Sequence, residues 1–346
     1  MAEVILKVEN LKKYYELSRG LLSFKKPDVV KAVDGVSFDL HEGEIIGLVG
    51  ETGCGKTTTG RVVVKLENPT AGSVIFKGQD ITKLEGDALR EFRRSVQMIF
   101  QDPFESLNPR FTIFKTLIEP LIVNGIGETY EERVDLAVKA LEEAGLKPGE
   151  EYLDRYPHEI SGGQRQRVAI ARALIINPKF IVADEPVSML DVSIRAGVLN
   201  LMLDLKEKYN LPIIFITHDI AVARYMSDRI LVMYLGKVVE EGPTESIIFD
   251  PLHPYTRALL SAVPVPDPER KHERIPIKGD IPSPINLPPG CRFASRCVYF
   301  QKGVCDVKDP ELREIKKGHF VACHFVEKIL SGEIKATREE KTKHES

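Results

Sequence analysis

The sequence predicts an α/β fold of buried parallel strands with helices between them, and three stretches carry that prediction. EIIGLV, at Glu44 to Val49, has the near-continuous apolar character of a parallel strand covered on both faces, and it passes through GETGCGKTT into the helix-compatible RVVVKL. KFIVADE, Lys179 to Glu185, is a second apolar run that ends in two acids, and PIIFIT, just before His218, is a third. Glycine where a strand hands over to a helix, and carboxylates where a buried strand stops, mark the ends at which chemistry is expected.

Bulk properties set outer limits. With 346 residues, 43% of them hydrophobic, the chain suits one large or two moderate domains. The net charge of −3, from 48 basic and 51 acidic residues, provides no overall basic field, so no nucleic-acid partner is expected. The opening MAEVILKVENLKKYYEL lacks the pattern of a secretory signal. No apolar run reaches the roughly 18 to 20 residues of a membrane helix, so a soluble chain is expected.

The first strand's loop fits G-x-x-x-x-G-K-[ST], with Gly50, Gly55, Lys56 and Thr57 at the defining places and Glu51, Thr52, Gly53, Cys54 and Thr58 completing it. Glycines let backbone N–H groups curl around phosphate oxygens, and the new helix adds its own unpaired amides. Lys56 then reaches the β and γ phosphates of a nucleotide and Thr57 holds Mg²⁺. A plain glycine-rich turn is the bland alternative. In KFIVADE, Asp184 is placed for Mg²⁺ and Glu185 for a water, against the alternative of two solvated acids opening a loop. Upstream, EISGGQRQRVAIARALIINP opens a helix at Ser161, Gly162, Gly163 and Gln164, and its Val168, Ile170, Ala171, Leu174 and Ile175 fall largely on one stripe. The serine and glycines could be a simple cap or a second phosphate cradle.

GETGCGKTT, MIFQDPFESLNP, SGGQRQRVAIARAL, FIVADEP and FITHD, in that order, resemble the nucleotide-binding subunit of an ATP-binding cassette (ABC) transporter from about Val8 to Pro254. The resemblance implies a P-loop ABC ATPase core with a helical insert. It also implies head-to-tail dimers in which the signature Ser161–Gln164 of one cassette closes over ATP on the other. By motif, Gln101 resembles the glutamine linking the Mg²⁺ site to the insert, and His218 the histidine that contacts the γ phosphate. Asp191 resembles the aspartate that speaks across the dimer, although Met189 stands where a small residue is usual. Tyr15 resembles the aromatic that stacks on adenine, with Tyr14 as runner-up. The insert is expected at about 102–159; within it Thr129 and Glu132 have capping-box spacing, Val134, Val138 and Leu141 line one side, and Gly145 is a stop. The groove between insert and core would receive a helix of a membrane subunit.

DPLHPYTRALL and KGDIPSPINLPPGCRFASRC resemble the element that follows the cassette in oligopeptide and dipeptide importer ATPases, to about His324. Physically, HPY is a histidine ahead of an extended X-Pro turn, with no catalysis attached. Cys291, Cys297, Cys305 and Cys323, separated by five, seven and seventeen residues, could bind zinc or an iron–sulfur cluster or stay unbound; no C-x-x-C pair is present, and His319 and His324 are nearby. The branch resemblance implies a [4Fe-4S] cluster; in a domain too small to hold itself by burial, its expected role is that of a structural staple. Cys54 serves the shape of its loop.

The expected organisation is a cassette at 1–250, a cysteine-bearing extension at 251–328 and a charged, disordered tail at 329–346. RGLLSFKKPDVV reads as a longer loop whose Leu21, Leu22 and Phe24 pack locally. The family implies a peripheral subunit on the cytoplasmic face of the cell membrane. Its partners are then a second, related ABC ATPase, two transmembrane permease subunits and an extracytoplasmic solute-binding protein. Oligosaccharide or nickel importers of the same branch are the alternative. A soluble ABC ATPase of DNA repair or translation is disfavoured by the absence of a second cassette or long coiled coil.

Overall fold

The computed structural model describes residues 3–17, 27–262, 275, 277 and 279–336. Leu21, Leu22 and Phe24 of the expected loop, and the tail beyond residue 336, lie outside them. The strands are β1 Val4–Leu17, β2 Asp28–His41, β3 Ile45–Val49, β4 Ala71–Phe76, β5 Gln79–Asp80, β6 Val96–Ile99, β7 Phe180–Asp184, β8 Ile213–Thr217, β9 Arg229–Tyr234, β10 Lys237–Pro243, β11 Arg313–Lys316 and β12 His319–Val321.

Every residue of β3, β7 and β8 is buried, and these strands form the parallel centre of an eight-stranded sheet ordered β11-β12-β10-β9-β3-β8-β7-β6. Apolar runs without alternation suit such strands, since helices cover both their faces. β1 and β2 instead mix buried and exposed positions and pair antiparallel in a second sheet, ordered β2-β1-β4-β5. In the parallel sheet Val49 is level with Thr217, Asp184 with Ile216, and Ile99 with Ala183. That register brings the carboxyl ends of β3, β8, β7 and β6 into one row, the edge at which α/β sheets bind ligands.

Residues 102–159 hold the helices Pro103–Ser106, Ile113–Val123, Tyr130–Glu143 and Glu150–Leu153. Thr129 and Glu132 form a reciprocal capping box, and Tyr130–Glu143 ends at Ala144 before Gly145, whose φ is 75°. Its buried line is Ala137, Ala140, Leu141 and Ala144, with Val134 and Val138 only half-buried. The buried line is mostly alanine, which lets the neighbouring helices approach closely. The helix Gly162–Leu174 is buried well beyond one stripe, since Gln166, Ala169 and Ala173 are covered along with Val168, Ile170, Ala171 and Leu174.

Beyond residue 250, the helix Pro254–Ser261 is followed by β11 and β12, and β12 pairs with β10 so that this segment lengthens the central sheet. The helix Val326–Leu330 follows, with Ile329 buried. The expected [4Fe-4S] site on Cys291, Cys297, Cys305 and Cys323 is overturned. Among the described residues, no three His, Cys, Asp or Glu side chains come together in a way that could hold a metal ion. The thiols are packing groups instead. Cys291 and Cys297 lie against the cluster containing Tyr234, Tyr255 and Phe293, Cys323 against Leu252, Val321 and Val326, and Cys305 is buried. Burial pushes the Cys291 thiol up to about 12 and the Cys323 thiol to about 11, which keeps both protonated at neutral pH. The two histidines are engaged elsewhere, His319 with Glu240 and His324 with the Lys308 carbonyl.

Candidate active site

The loop Gly50–Thr58 leaves β3 and enters the helix Lys56–Val63, whose N-cap is Gly55 at φ 105°. A Cβ there would sit 2.1 Å from the Ala32 carbonyl oxygen, so both the conformation and the space require glycine. Lys56 is buried and its Nζ donates to the carbonyls of Gly50 (2.7 Å) and Glu51 (3.1 Å). The loop backbone therefore holds an ammonium at its own centre. Cys54 is buried in the loop, and burial raises its thiol pKa, consistent with a shape-filling residue.

Thr57 Oγ1 donates to Asp184 Oδ1 at 3.0 Å. Burial, aided by the neighbouring Glu185, lifts the Asp184 carboxyl above its usual range, while Thr57 opposes the shift. A buried carboxylate facing a hydroxyl is an oxygen-only donor set of the kind that suits Mg²⁺. Glu185 lies at φ 46°, a left-handed conformation uncommon for a non-glycine residue and found disproportionately at functional sites. Its Oε2 accepts from Gln101 Nε2 at 3.3 Å and lies 2.9 Å from His218 Nδ1. Gln101 and His218, delivered by the strands on either side of β7, thus converge on one carboxylate oxygen of Glu185.

A cavity of about 400 Å³ has a polar side formed by Thr52, Gly53, Gly55, Lys56, Thr57, Thr58, Gln101, Glu185 and His218; Asp184 is not on its wall but is bonded to Thr57. Val30, Ala32, Leu235 and Pro284 contribute an apolar side, and Ser188 and Met189 also border it. Pro284 was not foreseen, and Met189 was noted only as an unusual residue beside Asp191; Pro284 arrives where Asn286 donates its N–H to the Val29 carbonyl at 3.0 Å. No local signal in the sequence could have supplied that contact.

The remaining expected residues lie off this cavity. The Tyr15 hydroxyl donates to Glu67 at 2.5 Å with Thr58 beside it, and Tyr14 donates to Asp34. Ser161 caps the helix Gly162–Leu174: its Oγ accepts the Gln164 N–H at 3.3 Å, and Gln164 Oε1 accepts the Ser161 N–H at 2.9 Å. Gly163 is pressed against Ile194, where a Cβ would lie 2.6 Å from Cγ2. Asp191 begins the helix Val192–Tyr209 without a side-chain cap bond, between the exposed Met189 and Val192. Glu51 turns away from the cavity toward Arg296 and Tyr255, two residues that sequence reasoning did not connect with the site.

Comparison with known proteins agrees with this geometry. The family model described as ABC transporter matches residues 33–188, and the one described as the C-terminal region of oligopeptide/dipeptide transporters matches residues 239–305. The chain is 51% identical to the oligopeptide transport ATP-binding protein AppF of Bacillus subtilis, over 93% of this chain and 98% of that protein. It is 46% identical to the dipeptide transport ATP-binding protein DppF of Haemophilus influenzae, over 93% of this chain and 97% of that one. Among solved structures, the ATP-binding cassette MJ0796 bound to ADP and Pi superimposes with a TM-score of 0.61 at 32% identity, over 69% of this chain and 99% of that cassette.

Proposed function

This chain belongs to the ABC transporter family and hydrolyses ATP, and from that premise we propose that it powers an importer of oligopeptides or dipeptides. The observation that carries the reading is the cavity lined by residues of the loop 50–58 and by Gln101, Glu185 and His218, with Asp184 bonded to the lining residue Thr57. Its setting supports the peptide assignment, since relatives matched over more than nine-tenths of the chain are named for oligopeptide and dipeptide transport.

In this reading the amides of Gly50–Thr58 and the Lys56 ammonium bind the β and γ phosphates. Thr57, Gln101 and Asp184 would hold Mg²⁺, which when bound offsets the charge on those phosphates. Glu185 orients and polarises the attacking water while His218 contacts the γ phosphate. Phosphoryl transfer asks little covalent chemistry of the protein, so positioning and charge do the catalysis. Tyr15, close to Thr58, serves the adenine end. Ser161–Gln164 act on the nucleotide of a second, related ABC ATPase, Asp191 belongs to the loop that speaks across that dimer, and their position off this chain's own cavity supports these roles. The insert at 102–159 meets one of two transmembrane permease subunits, and an extracytoplasmic solute-binding protein delivers the peptide. Among the described residues no helix is long and apolar enough to cross a membrane; in this reading the chain is a peripheral subunit at the cytoplasmic face. The cassette occupies 1–250, and 251–328 is the branch-specific extension.

Glu185→Gln should leave ATP binding by the purified chain unchanged while hydrolysis falls by about a hundredfold or more. Wild-type turnover in that variant would remove Glu185 from its role. Cells lacking the chain should lose uptake of radiolabelled short peptides; undiminished uptake would remove the peptide assignment.

A further inference from the structure

Glu51 follows the first glycine of the phosphate loop, and the segment beyond residue 250 holds it by backbone and side chain together. Its N–H donates to the Tyr255 hydroxyl at 3.0 Å. Its carboxylate takes both arms of Arg296, Nη1 to Oε2 at 2.7 Å and Nη2 to Oε1 at 3.3 Å. Both anchors are rigidly set. The Tyr255 ring is fully buried, 4.7 Å from the Tyr234 ring and 5.4 Å from that of Phe293. Arg296 is 7% exposed, and its Nη1 also reaches the Tyr234 hydroxyl at 3.4 Å. Tyr234 ends β9, the parallel neighbour of the strand from which the loop springs.

We propose that Tyr255 and Arg296 are positioning residues for nucleotide binding, holding Glu51, and through it the loop Gly50–Thr58, in the shape that receives the phosphates. Two physical effects support this. The Gly50 and Glu51 carbonyls are the acceptors that aim Lys56, so a shift of Glu51 misdirects the ammonium. Glu51 is also an acid in a loop built for anions. The bidentate guanidinium offsets that charge, and its removal leaves a carboxylate to repel the incoming triphosphate. The inference rests on the nucleotide reading of the cavity.

Full-length chains carrying Arg296→Gln, Arg296→Lys, Tyr255→Phe, Glu51→Gln with Arg296→Gln, or Arg313→Gln test it. Each is titrated with mant-ATP and Mg²⁺, assayed for steady-state ATP hydrolysis, and checked for a thermal transition without nucleotide. Arg313 pairs with Glu327 on the surface of the same segment and serves as the control. Arg296→Gln should raise Kd and KM about tenfold, a loss typical of one partner removed from a buried pair. Its kcat should stay within about twofold, the split expected when binding rather than chemistry is damaged. Tyr255→Phe keeps the ring and should raise Kd about threefold. Arg296→Lys should recover part of the loss, and the double variant should bind better than Arg296→Gln alone because the repelling charge is gone. Folded Tyr255→Phe and Arg296→Gln chains with wild-type Kd would overturn the proposal, as would an equal weakening in Arg313→Gln. Should Arg296→Gln fail to fold, Tyr255→Phe and the double variant decide by the same readings. A wild-type chain that takes up no mant-ATP would instead overturn the nucleotide reading itself.

Discussion

The His253 ring is 1% exposed, and its Nδ1 accepts the Tyr255 N–H at 3.1 Å to cap the helix Pro254–Ser261. Beside it Glu240, fully buried, accepts the N–H groups of Leu252 (2.7 Å) and His253 (3.0 Å) and faces His319 Nε2 at 2.8 Å. Burial pushes the His253 pKa down to about 4 from 6.5; Arg257 adds to the shift, and Glu240 and the Ala322 backbone oppose it. The sign follows from proton linkage. Between pH 6.5 and 4 the unfolded chain takes up a proton that the folded one refuses, so the stabilisation present at pH 7 is lost as pH falls. This residue should contribute a loss of about 2 kcal/mol between pH 7 and pH 5. Thermal unfolding at the two pH values checks it in wild type and in His253→Asn, which keeps a capping acceptor but cannot titrate. Equal pH dependence in both chains would show that His253 is not the group responsible. None of this could be read from HPY alone, because a histidine's burial is set by residues distant in the chain.

At the scale of elements, Thr129 and Glu132 illustrate what a local signal can do. The spacing S/T-x-x-E satisfies two orphan donors within one turn, so the start of the helix Tyr130–Glu143 was legible before any neighbour was known. Thr129→Ala should cost about 1 kcal/mol of stability in urea unfolding. ATP hydrolysis should be unchanged, because the cap is exposed and remote from the cavity; a fall in turnover without unfolding would contradict that separation. The face of the same helix was less legible. Val134 and Val138 are the more apolar residues, yet Ala137, Ala140 and Ala144 are buried more completely, since the neighbours' shape selects the face. The signature helix shows the same limit: its cap at Ser161 was visible, whereas its burial on nearly all sides comes from being packed among the insert and the sheet.

For the whole molecule, the segment beyond residue 250 completes the central sheet. β12 pairs with β10 through Glu240↔Val321 and Glu241↔Phe320, and Tyr255 and Phe293 cover Tyr234. A chain ending at residue 250 would expose that cluster and leave Glu240 buried or half-buried without its donors from Leu252, His253 and His319. Loss of so much apolar cover together with a stranded carboxylate should lower the melting temperature by more than about 10 °C. Differential scanning calorimetry of the shortened and complete chains tests this; an unchanged transition would show that the cassette is independent of the segment.

The turn-forming glycines of the loop 50–58 and the capping residues were readable along the chain, because each acts on neighbours a few positions away; Asp184 and Glu185 were visible as the end of a strand, but their partners Thr57, Gln101 and His218 stand 33 to 127 positions distant. The α/β class was readable too, since apolar runs of about five residues, such as those in EIIGLV and KFIVADE, are too short for buried helices and suit inner strands. The meeting of Arg296 with Glu51, 245 residues apart, and the packing of the cysteines against apolar clusters emerged only when the chain folded. Spacing in sequence says which side chains are available; their distances and burial are properties of the packed sheet, where strands from opposite ends of the chain lie side by side.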